Sequence, residues 1–138
     1  MPRKFTDSIV VPVADASDAE ATVDRLEQYS FGDLTVVHVV EKGGGVPDKT
    51  PVEQSEDVAA EAYAVVRETF PDADTRTAYG RDVVRAIVDV ADDVDASAIV
   101  FRPRGGARIL QFLAGDRSLR LITQADRPVV ALPETDDS

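Results

Sequence analysis

Apolar and polar positions alternate along this chain in two rhythms. Ile9-Val10-Val11-Pro12-Val13 is a short run apolar on both sides, the pattern of a strand covered on both faces of a parallel sheet. Ser17-Asp18-Ala19-Glu20 reads as a capping box, and Ala19, Val23 and Leu26 recur at helical spacing, predicting a helix to about Tyr29. Leu34 to Val40 is a second strand, rich in β-branched residues. After a loop with Gly43-Gly44-Gly45 and Pro47, Thr50-Pro51-Val52-Glu53 offers another capping box with proline at the first helical position. The helix it opens presents Val58, Ala62, Val65, Val66 and Phe70 on one face.

Pro71-Asp72 ends that helix, and Thr75 to Tyr79 is a more polar third strand suited to a sheet edge. Gly80 turns the chain into a helix carrying Val83, Val84, Ile87, Val88 and Ala91. Ala98 to Phe101 is the fourth strand, and a segment rich in glycine and arginine leads to an amphipathic stretch around Leu119 to Ile122. Val129 to Leu132, reached through Pro128, is the fifth strand. Residues 1–133 thus read as one domain without internal repeat or linker, and residues 134–138 as an acidic tail.

Strands alternating with helices predict an α/β fold, a parallel sheet with helices on both faces. Such sheets bind ligands outside the carboxyl ends of their strands, where strand order reverses. The loops to examine follow the first strand (Ala14 to Ser17), the second (Val40 onward) and the fourth (Arg102 onward).

Composition removes several classes of chemistry. The 138 residues include no cysteine, which excludes disulfides, zinc–thiolate sites, iron–sulfur clusters and thiol nucleophiles. A single histidine cannot build a multi-histidine metal site, so no metal is expected. Charge changes the picture further: the net charge is −11, with 18 Asp to 8 Glu and 12 Arg to 3 Lys. Such a chain repels nucleic-acid phosphates and anionic lipid, so neither partner is expected. Its acidic, lysine-poor composition resembles that of proteins from salt-loving microbes, where salt screens self-repulsion. The melting temperature is therefore expected to rise steeply from dilute buffer to molar KCl. An unchanged melting temperature would contradict the salt-adapted reading. The apolar run at Ile9 to Ala14 is too short for a signal peptide or a membrane span, and a cytoplasmic location is expected.

Familiar phosphate motifs are missing where they should stand. No Gly-Lys-Ser/Thr completes a P-loop, and the turn after the first strand, Ala14-Asp15-Ala16-Ser17, carries no G-x-G-x-x-G. A response-regulator reading needs a phospho-accepting Asp after the third strand, where Tyr79-Gly80 stands. His38 lies inside the second strand among apolar neighbours, with no nucleophile placed to use it as a base, and reads as a packed histidine. Gly43-Gly44-Gly45 precedes no nearby helix start and reads as a loop. Asp89, Asp92, Asp93 and Asp95 read as a solvated helix end rather than a cation site, given the aspartate excess.

The informative segment follows the fourth strand. Arg102, Arg104 and Arg108 fall within seven residues of an acidic chain, and arginine forks suit anions. Local carboxylates or a second subunit are the competing partners for them. A helix start near Asp116 would add main-chain donors.

Taken in order, the first strand, the Leu34…His38-Val39-Val40 strand, the spacing Gly105–nine residues–Gly115 and the closing Pro128-Val129-Val130 resemble the universal stress protein family over nearly the whole chain. The resemblance implies a Rossmann-like domain of the adenine nucleotide alpha hydrolase-like type, with five parallel strands in order 3-2-1-4-5. It also implies homodimers formed through the last strand, here Val129, Val130, Ala131 and Leu132. Nucleotide-binding members carry G-x-x-G-(nine residues)-G-[ST] after the fourth strand and an Asp after the first. Here those positions are Arg102, Gly105, Gly115 and Asp116, and Ala14 stands at the Asp position with Asp15 beside it. Val13 and Val39 complete the implied nucleotide- or anion-binding set with Arg104 and Arg108.

Arginine fills space that glycine leaves open for phosphate, and a carboxylate at position 116 opposes a triphosphate. Arg102 and Asp116 are therefore expected to form a coupled replacement, the carboxylate standing where a phosphate would sit. The expected function is a dimeric, cytoplasmic regulatory or stress-response binding module with a protein partner, without catalysis and without a bound cofactor. The competing reading is a receptor for ATP or another phosphorylated ligand held by Arg102, Arg104 and Arg108. An ATP-hydrolysing or adenylating enzyme is disfavoured, because Ser-Gly-Gly and His-x-Gly-His signatures are absent.

Overall fold

The computed structural model describes residues 4–41, 49–102 and 117–133. Strands are β1 (Ser8–Pro12), β2 (Asp33–Glu41), β3 (Asp74–Gly80), β4 (Ala98–Phe101) and β5 (Val129–Ala131). Helices are α1 (Ala16–Leu26), α2 (Lys49–Thr69), α3 (Val83–Asp93) and α4 (Arg117–Gln124). All four strand pairings are parallel, and the sheet order is β3-β2-β1-β4-β5. The chain runs outward from β1 to β3, then returns to place β4 on the other side of β1. In sheets of this kind a ligand crevice lies at such a reversal, here at the carboxyl ends of β1 and β4.

Each face of the sheet is covered by its own helices. Ile9, Val11, Leu34, Val36 and Val100 pack under α1 and α2, against Ala19, Val23, Leu26, Ala62 and Val66. Val10, Val37, Ile99 and Phe101 face the other way, onto Val84, Ile87, Val88, Ala91 of α3 and Leu121 of α4. Two-sided burial explains why the β1 and β4 sequences are uninterrupted apolar runs. On the first face, Phe31 and Phe70 close the edge of the core with ring centroids 5.3 Å apart. Gly32 is fixed by a close approach: a Cβ there would collide with the Asp7 carbonyl oxygen, while its N–H donates to Thr6 O at 2.8 Å.

Two polar joints tie the amino ends of the strands. Ser97 donates its N–H to Ser8 O at 2.6 Å, and its hydroxyl accepts from Ser8 N at 2.9 Å. At the end of α3, Ala96 N–H donates to Ala91 O and Asp95 N–H to Asp92 O, a Schellman arrangement with Asp95 at φ 52 where glycine is usual. The Arg127 guanidinium then takes the Ala91 and Ala96 carbonyls at 2.9 and 2.8 Å and pairs with Asp92 and Asp126. It holds the Asp126 carboxyl below the usual carboxylate range.

Helix starts differ from the sequence reading in one place that matters. α1 begins at Ala16, with Asp15 as its N-cap, ahead of the expected Ser17 box. Asp15-x-x-Asp18 satisfies the same capping spacing two residues earlier, and aspartate caps as well as serine. α2 likewise begins at Lys49, so Thr50 lies inside it.

Candidate functional site

The crevice is built from the ends of β1 and β4 and the first turn of α1. Val13 continues the ladder past β1, its N–H donating to Val37 O at 2.9 Å, and its side chain is buried. From there the chain turns directly into the helix cap. Asp15 Oδ1 accepts from the Asp18 N–H at 2.7 Å, and Asp18 Oδ2 accepts from the Ala14 N–H at 2.8 Å. The two aspartates therefore satisfy main-chain donors reciprocally and hold the turn rigid.

Arg102 follows β4 directly and reaches across to this turn. Its Nη2 donates to Asp18 Oδ1 at 2.7 Å, linking residues 84 positions apart. The side chains are only 17% and 12% exposed, so the pair is shielded from water and stronger than a surface ion pair. Arg102 Nε is buried and has no hydrogen-bond partner among the described residues. The expected carboxylate partner, Asp116, lies outside the described residues, as do Arg104, Gly105, Arg108 and Gly115. The carboxylate placed on Arg102 is thus Asp18, which in the sequence falls inside the Ser17–Glu20 capping box without a role of its own.

Strand β2 flanks the crevice. The His38 ring is buried, and its Nδ1 lies 3.1 Å from the Val13 carbonyl oxygen. A carbonyl only accepts, so Nδ1 carries the proton, and His38 steadies the chain at the end of β1. Val39 is half-buried against the α3 side of the core. One strand further out, the Tyr63 hydroxyl donates to the Arg76 carbonyl at 2.6 Å and accepts from Thr77 Oγ1 at 2.8 Å. Burial pushes that phenol's pKa up. On the same outer strand Tyr79 donates to Glu56, which also raises its pKa.

The aspartates near the end of α3 are drawn to different cations. Asp89 pairs with Arg85, Asp92 with Arg127 and Asp93 with Arg76. No cluster of three or more His, Asp or Glu side chains is placed to hold a metal ion among the described residues. No helix among them is long and apolar enough to cross a membrane.

Strand β5 stands at the sheet edge. Val129 packs partly on the α3 side, Val130 and Ala131 are exposed, and Leu132 is turned into the α1 side of the core. A shallow cleft of about 400 Å³ lies at the opposite, amino end of the strands, between Phe5, Ser97, Asp126, Arg127 and Pro128. Its principal polar groups are already engaged in the two joints described above.

At the crevice, then, the described groups are a main-chain N–H, two carboxylates and one guanidinium. These groups engage one another through charge and hydrogen bonding.

Comparison with solved structures places this architecture among known ones. The universal stress protein of Archaeoglobus fulgidus in complex with dAMP is 25% identical, with TM-score 0.62 over 94% of this chain and 100% of that one. A universal stress protein in complex with cAMP is 20% identical, with TM-score 0.66 over 96% and 100% of the two chains. UspA of Lactobacillus plantarum is 23% identical, with TM-score 0.66 over 95% and 100%. A search of curated protein sequences gave no match. The model of the universal stress protein family matches residues 6–133, nearly the whole chain and every element of the sheet. The chain belongs to the universal stress protein family.

Proposed function

We propose that this chain is a dimeric, cytoplasmic regulatory or stress-response binding module without catalysis, whose β1–β4 crevice is closed to triphosphates from within. The observation that carries this reading is the Arg102–Asp18 pair at 2.7 Å. Arg102 occupies the position where nucleotide-binding relatives carry the first glycine of the phosphate loop, and its charge is already met by Asp18. The pair therefore offers a triphosphate neither the space of a glycine nor the pull of a free cation. Asp116, at the motif's hydroxyl position, adds a like charge. Titration calorimetry with ATP on the intact chain tests this reading, which expects weak or absent binding.

A receptor for ATP or another phosphorylated ligand is the second reading. Two relatives of the same fold were solved with dAMP and cAMP, and Arg102 Nε is a buried donor without a partner among the described residues. Intact-complex mass spectrometry after gentle purification separates the two, because it reports any carried nucleotide together with the subunit number.

In the proposed dimer β5 pairs with the same strand of a second copy. Val130 and Ala131 are exposed on an edge strand whose outer ladder groups have no neighbouring strand among the described residues. Light scattering in molar salt is expected to report twice the 14.9 kDa chain mass. A monomer persisting at micromolar concentration would remove the dimer from the proposal.

A further inference from the structure

Resting on the reading of the β1–β4 edge as the ligand crevice, we infer that Asp18 sets the charge of ligand the crevice accepts, by acting as an internal occupant of an oxyanion cradle. Its two carboxylate oxygens are held by different donors: Oδ2 by the Ala14 main-chain N–H at 2.8 Å, and Oδ1 by Arg102 Nη2 at 2.7 Å. A main-chain N–H and a guanidinium converging on one anionic group is the donor set that binds phosphoryl oxygens in general. Here a side chain of the protein fills it, with 12% of that side chain exposed.

The fit is incomplete on the arginine side. Nε is buried without a partner among the described residues, so Asp18 engages the guanidinium at Nη2 and not at Nε. A planar carboxylate tethered to the first turn of α1 meets Ala14 through one oxygen and Arg102 through the other. A tetrahedral phosphoryl group carries a further oxygen and can meet Nη2, Nε and the Ala14 N–H together. A phosphorylated ligand in the wild-type chain must displace Asp18 and leave that carboxylate shielded beside the incoming negative charge. An uncharged nucleoside pays neither penalty. Asp18 therefore ranks ligands by charge, favouring adenosine over AMP and AMP over ATP.

Asp18→Asn keeps an oxygen for the Ala14 N–H and removes the charge that competes for Arg102. Calorimetry with adenosine, AMP and ATP on the full chain should show ATP affinity rising at least about tenfold in the variant, with adenosine changing less than about threefold. Inorganic phosphate, at ionic strength matched with chloride, should raise the melting temperature of the variant and leave that of the wild type unchanged. Asp18→Ser repeats both measurements if the asparagine chain does not fold. If neither variant folds, the wild type still decides: adenosine must bind more tightly than AMP, and an equal or reversed ranking overturns the inference. A folded variant with wild-type ATP affinity and no phosphate effect overturns it while leaving the closed-crevice reading intact. Micromolar ATP binding by the wild type overturns both.

Discussion

Arg127→Ala is expected to destabilise the fold by about 3 kcal/mol, the loss from removing a mostly shielded guanidinium that donates to the Ala91 and Ala96 carbonyls and pairs with Asp92 and Asp126. In a domain of this size that lowers the melting temperature by roughly 10 °C. Arg127 is 13% exposed at its side chain and joins three pieces of chain: the end of α3 through Ala91 and Asp92, the β4 approach through Ala96, and the β5 approach through Asp126. Arg127→Lys keeps the charge but not the planar fork, and should recover less than half of the loss. The pH dependence follows from the sign of the coupling. Arg127 holds the Asp126 carboxyl below the usual range, so the Asp126 part of its support is complete at neutral pH and is lost as the pH falls through that lowered value, while its carbonyl contacts do not titrate. Asp82 behaves alike through Arg120. The gap between wild type and Arg127→Ala in thermal melts should therefore narrow on acidification below the carboxylate range. A melting temperature unchanged by Arg127→Ala would remove the staple from the structure's energetics.

Arg102→Gly combined with Asp116→Ser should create ATP binding where the wild type has little. The pair of changes rebuilds G-x-x-G-(nine residues)-G-S after β4, and the expected gain is at least about tenfold over the wild type. Asp116→Ser alone should gain less, because Arg102 still fills the first position. Removing the arginine leaves the Asp18 carboxylate in the crevice without its guanidinium, so adding Asp18→Asn to the double variant should raise the affinity again. A double-mutant cycle on Arg102 and Asp18 should return a coupling of about 1–3 kcal/mol, since both side chains are mostly shielded. Additive losses would mean the pair is a contact without energetic weight.

The strand and helix order was legible because β1 and β4 are covered on both faces and so read as nearly unbroken apolar runs. β4, Ala98–Phe101, matches its expected limits residue for residue. Boundaries slipped where two capping patterns overlap: Asp15-x-x-Asp18 and Ser17-x-x-Glu20 both fit, and only the turn after Val13 selects the first. The strand order implied by family resemblance also put the start of α1 beside the end of β4, which is the signal that could have paired Asp18 with Arg102. It was masked by composition, because among 18 aspartates no single carboxylate stands out. Arg127 was hidden for the complementary reason. Two of its four partners are main-chain carbonyls at and just beyond the end of α3, and these leave no mark in the side-chain pattern.

The direct test of a crevice closed from within is an ATP titration of the wild-type chain by calorimetry, at an ionic strength where it is folded. The Arg102–Asp18 pair predicts no saturable binding below millimolar ATP. Micromolar binding by the wild type, lost on Arg102→Gly, would contradict it and make the arginine a nucleotide ligand instead of an internal plug.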